Sequence, residues 1–374
     1  MLNDTPEIDN LSNESSYMES EASPSGMTII MWMVFAAILY RLAGILISLA
    51  YFEWSLLAGR VEPLVGLLGD VNARVREYAA GAIWSLARNH AGNKERIVEA
   101  GGIVPLLALL DDVNARVREY AAAIIWSLAR NHAGNKERIA KAGGIVPLLG
   151  LLDDVSTRVR EKAAGALWSL VRNHAGNKER IPEVDGIAPL VGLLGDVNTR
   201  VREKAAGVLG NLAHNHAANK QDIGALGAIP ELLRLLRDED DLVRKYAAFA
   251  LFVMVMDHVA NASLLVDSDG ITALLLCRDN QSELVRQYTE LNLTILVADH
   301  PDYAERVGDL KLHLILALLK DHEFEARQCA AYALGKLSQN NAYREKLQAL
   351  GAQEKLRPLL EDEDLSARAQ ARMQ

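Results

Sequence analysis

Apolar residues recur every three or four positions through Val117, Ala121, Ile124 and Leu128, the stripe that one face of an α-helix buries. The stripe repeats along the chain. Residues 93–134 (NKERIVEAGGIVPLLALLDDVNARVREYAAAIIWSLARNHAG) and 135–176 are near copies, 42 residues each. Self-similarity at such a period marks a solenoid, in which each unit buries its apolar face against its neighbours. Within a unit the pattern predicts three helices. A short one follows Asn93 as N-cap and stops at Gly101-Gly102. A second runs from Ile103 to Leu110 with Pro105 in its first turn, and a long third runs from an Asn114 cap to about Arg130. The last leucine of the second helix falls at Leu68, Leu110, Leu152, Leu194 and Leu236, then Arg278, Leu319 and Leu360, with five spacings of 42 and two of 41. This register predicts an all-α chain of about seven full repeats and an eighth truncated at Gln374.

Two segments precede the repeats, which begin near residue 53. Residues 1–26 carry six carboxylates and no Lys or Arg, and are expected to be a disordered acidic tail. Residues 27–52 hold one charge, Arg41, in 26 residues. That run is either a single transmembrane anchor or an apolar helix capping the solenoid. As an anchor it leaves the repeats facing the cytoplasm and the acidic tail across the membrane.

Charge narrows the function further. A net charge of −9 argues against nucleic-acid binding, which needs a basic stripe. The two cysteines, Cys277 and Cys329, lie in different repeats and form no disulfide framework. No P-loop, GxSxG or HExxH occurs, so neither catalysis nor a cofactor is expected.

Two ladders of polar residues keep the period. Asp and Arg recur six residues apart (Asp70/Arg76, Asp112/Arg118, Asp154/Arg160, Asp196/Arg202 and onward, with Asn280/Arg286 as the variant), and predict salt links between neighbouring repeats. His90, His132, His174, His216, His258 and His300 are expected to end the third helices, too far apart to share a metal.

The motif GGIVPLLxLL…AAxxIWSLA, repeated in register, resembles the armadillo-repeat family over residues ~53–374, with its vacuolar-protein-8-type and plant members as the nearest flavour. The resemblance implies a right-handed superhelix of helices acting as a non-enzymatic scaffold. Its third helices would line a concave groove around an extended peptide or partner domain. Mapped onto the family's groove, the candidate binding residues are Trp84, Ser85, Arg88, Trp126, Ser127, Arg130, Trp168, Ser169, Arg172, Asn211 and His214. The family's groove asparagine survives only at Asn211; Ser85, Ser127 and Ser169 replace it. The tryptophans are either groove-exposed, where Trp and Arg suit stacking and cation–π contact, or core between adjacent helices. An acidic or mixed extended segment is the expected ligand. The other family reading is an importin-alpha-like transport adaptor. It lacks its groove tryptophan here, because that slot holds Gly81, Ala123, Gly165 or Gly207.

Overall fold

The computed structural model describes residues 61–88 and 90–360, and all regular structure among them is helical. The expectations for residues 1–26 and 27–52 lie outside the described residues. Seven long helices carry the solenoid: α1 (Ala73–Ala87), α2 (Ala115–Ala129), α3 (Thr157–Val171), α4 (Thr199–Ala213), α5 (Asp241–Val255), α6 (Glu283–Asp299) and α7 (Phe324–Leu337). These are the third helices of repeats one to seven, and each packs along the next. The eighth repeat contributes Asn341–Ala349 and Ala352–Leu360. Among the described residues no single helix is long and apolar enough to cross a membrane.

Within a repeat the stripe does what its spacing demands: Val117, Ala121, Ile124 and Leu128 of α2 are all fully buried. The alanines let backbones approach, and each buried Ile or Leu contributes about 1.5–3 kcal/mol. The helix ends depart from expectation in one respect. Asn114 does cap α2, accepting from the Arg116 amide at 2.9 Å. Asn93, however, is not the cap of the preceding first helix. His90 is, its Nδ1 accepting from the Asn93 amide at 3.2 Å, and His132, His174, His216 and His258 repeat the bond. His90, His132, His174, His216 and His258 therefore open first helices instead of closing third ones, whereas His300 does end its long helix, α6. The freed asparagine side chain ties back to the previous long helix, as Asn135 Nδ2 does to the Leu128 carbonyl at 3.1 Å. The residue before four of these histidines makes the corner: Asn131, Asn173, Asn215 and Asp257 sit at φ of 51–57°, a region Asn and Asp tolerate best among non-glycine residues.

The Asp–Arg ladder links repeats, but not in the pairs the six-residue spacing suggests. Arg76 Nη1 donates to the backbone carbonyl of Asp70, while its Nε donates to the carboxylate of Asp112, 36 residues on, at 2.6 Å. Arg118–Asp154, Arg160–Asp196 and Arg202–Asp238 repeat this at 2.7 Å. The arginine lies near the start of its long helix, so it meets the loop that opens the next one. A third ladder uses the same offset. Lys136, Lys178 and Lys220 are buried and donate to the closing carbonyls of α3, α4 and α5, at Arg172, His214 and Met256. A cation is favourable at that negative end of a helix.

Candidate ligand groove

The long helices of the first two repeats enclose an open cavity of about 540 Å³. Trp84 and Arg88 at the end of α1, and Trp126, Ser127 and Arg130 at the end of α2, form its floor and side. His90, Lys94, His132 and, from α3, Lys162 complete the lining, and no carboxylate is among these residues.

Each tryptophan is held by its neighbour helix. The Trp126 ring lies flat on Gly165 of α3, where a Cβ would stand 2.9 Å from the ring; Trp168 lies in the same way on Gly207 of α4. Cations stand over the rings: Lys162 Nζ and Lys204 Nζ are 5.6 and 5.4 Å from the Trp126 ring, and Arg88 is 5.7 Å from that of Trp84. The Trp84 and Trp126 rings are thus half buried and stand beside these cations at the open cavity.

Electrostatics favour an anion here. Burial and the nearby charge of Arg130 lower the pKa of Lys94. Lys162 is paired with Glu161 at 2.8 Å, but Arg88, Lys94 and Arg130 gather with no carboxylate among the lining residues, a crowding of like charge that an arriving anion relieves.

From the third repeat on, the groove is closed. Trp168 meets Tyr246 of α5 edge-on, with centroids 4.7 Å apart, and Phe249 covers Gly210 of α4. Glu325 of α7 pairs with Arg172, leaving about 10 Å³ above this floor.

Residues 90–130, 132–172 and 174–214 match the family model of the Armadillo/beta-catenin-like repeat, and 199–251 that of a HEAT-like repeat. Three repeats, over residues 90–214, thus match the armadillo model. The fold is similar to that of an engineered protein, 26% identical with a TM-score of 0.65 over 84% of this chain and 77% of that one. A designed armadillo repeat protein is 25% identical, with a TM-score of 0.61 over 63% and 100% of the two chains. Computationally designed armadillo repeat proteins for modular peptide recognition are 25% identical, with a TM-score of 0.59 over 62% and 97%. A comparison with curated proteins gives no match.

The cavity brings together only part of the set mapped from sequence. Trp84, Arg88, Trp126, Ser127 and Arg130 line the open cavity. Ser85 is exposed but bonds its own helix at Gly81, and the Ser127 hydroxyl ties α2 to the Ala87 carbonyl at 2.9 Å. Ser169, Asn211 and His214 do not line open space, each being 5–9% exposed. Glycines at 207 and 210 let flanking aromatic rings close over them. Asn211 Nδ2 instead donates to the Gly207 carbonyl at 2.8 Å, and burial pushes His214 down to about 4. Lys94, Lys162 and Lys204 were not legible as groove residues. Their signal was the 36-residue offset, which sets Lys162 against Trp126 and Lys204 against Trp168.

Proposed function

We propose that this chain is a non-enzymatic interaction scaffold that captures an acidic, extended segment of a partner protein in the groove of its first two repeats. One observation carries the reading: a cavity built from two tryptophans and the cations Arg88, Lys94, Arg130 and Lys162, with no carboxylate in its lining, on a chain of net charge −9. Tryptophan faces supply sequence-tolerant apolar contact, and the arginine forks read carboxylates in two-point fashion. Similar designed proteins made for modular peptide recognition support a peptide as the ligand class.

Fluorescence anisotropy with labelled oligo-glutamate and oligo-lysine peptides tests this. Oligo-glutamate binds, and its affinity falls at least about tenfold between 50 and 500 mM NaCl as screening sets in. Preference for oligo-lysine would sink the reading.

The apolar run at residues 27–52 supports a tethered form of the same scaffold, with the repeats on the cytoplasmic side. Carbonate extraction that leaves the protein in the membrane pellet fits this; release to the supernatant does not.

A further inference from the structure

Beyond the open cavity, the aromatic track continues over Trp168, Tyr246, Phe249 and Tyr288, but its occupant comes from the chain itself. Glu325 of α7 is 4% exposed and grips Arg172 with both oxygens: Nε to Oε1 and Nη2 to Oε2, each 2.7 Å. Beside it Glu323 stands 3.4 Å from Lys245 Nζ. Lys136, Lys178 and His214 also face the Glu325 carboxylate through space. Burial raises the pKa of Glu325, but the hydrogen bonds and charge of Arg172 outweigh this and hold it below the usual carboxylate value.

Repeats of a solenoid contact their neighbours. This pair instead joins residues 153 apart in sequence, from the third repeat to the seventh. Arg172 also holds the position in repeat three that Arg88 and Arg130 hold in repeats one and two, at the 42-residue period. Two members of the arginine row face an open cavity, and the third is already engaged by a buried carboxylate.

We propose that the floor between the third and sixth repeats is the continuation of the acidic-segment track, and that Glu323 and Glu325 are its resident, displaceable occupant. An acidic partner long enough to pass the second repeat then competes with the seventh repeat for Arg172. The ligand class in this proposal rests on the reading given above; the internal clasp does not.

The full chain and its Glu323→Gln/Glu325→Gln variant are titrated with fluorescein-labelled oligo-glutamates of six and twelve residues. In parallel, spin labels at Glu179→Cys and His322→Cys, both exposed, report the distance across the groove while the native cysteines stay buried. Removing a competing occupant raises apparent affinity by the fraction of sites it held closed, so the twelve-mer binds the variant about tenfold more tightly than the wild type. The six-mer binds both alike, and the spin–spin distance lengthens. With six-mer binding intact, an unchanged twelve-mer affinity overturns the proposal. If neither peptide binds the wild type, the acidic reading fails separately, and an unchanged distance in the variant overturns the clasp too. The reversed pair, Arg172→Glu with Glu325→Arg, returns the short distance and so separates release of the clasp from unfolding.

Discussion

Arg118 Nε donates to Asp154 Oδ2 at 2.7 Å across the boundary between the second and third repeats, and the equivalent bond is missing between Arg244 and Asn280. In both acceptor residues Oδ1 takes the amide two residues on, at Ser156 and at Ser282. The second atom is therefore an acceptor in Asp154 and a donor in Asn280. Arg244 Nε is left buried without a partner. Asn280→Asp should complete the ladder and stabilise the protein by about 1–3 kcal/mol, the range in which an unsatisfied buried donor costs. Asp154→Asn should cost a similar amount. Urea unfolding measures both, and a destabilised Asn280→Asp would contradict the ladder.

Glycines in this chain have opposite roles that substitution separates. Gly165 carries the Trp126 ring, 2.9 Å from where a Cβ would stand, whereas Gly150, in the second helix of repeat three, has nothing within 4 Å. Gly150→Ala should stabilise by about 0.5–1 kcal/mol through helix propensity. Gly165→Ala should destabilise, because overpacking of about 1–3 kcal/mol exceeds that gain. Thermal unfolding that ranks the two variants the other way would remove the ring-on-glycine contact from the account.

The buried lysine ladder predicts a pH dependence. Burial lowers Lys178 from 10.5 to about 8, and Lys136 and Lys220 behave alike. Between pH 8 and 10.5 the unfolded chain keeps those protons while the folded chain releases them. Each lysine's contribution to stability therefore rises with pH across that window and is constant below it. The buried cysteines, whose thiols burial pushes up, titrate in the opposite sense. The clean quantity is thus the stability of wild type minus that of Lys178→Met. It should increase from pH 7.5 to 9.5; a flat difference would show that Lys178 keeps its ordinary value.

The architecture was legible because repetition multiplies a weak signal: one stripe such as Val117 to Leu128 is ambiguous, and the same stripe in register is not. Caps are less legible: histidine is a less usual cap than asparagine, so the sequence points to Asn93 where the helix uses His90. Lateral pairing was legible only in kind. The period of 42 tells which positions are equivalent, but the offset of 36 that sets Arg76 against Asp112 depends on how one long helix lies along the next. The open end of the groove followed from Trp126 and Arg130. Its closed end did not, since nothing in the local pattern around Glu325 announces Arg172 as a partner 153 residues away.

The most direct test of the central claim is the affinity of the Arg88→Glu/Arg130→Glu variant for the labelled six-residue oligo-glutamate. Both arginines are exposed, so the variant should unfold at nearly the wild-type temperature. Reversing two charges that face the cavity should reduce binding by about 100-fold or more, two contacts at roughly 1.4 kcal/mol or above each. Binding that survives unchanged would place the ligand elsewhere and contradict the account.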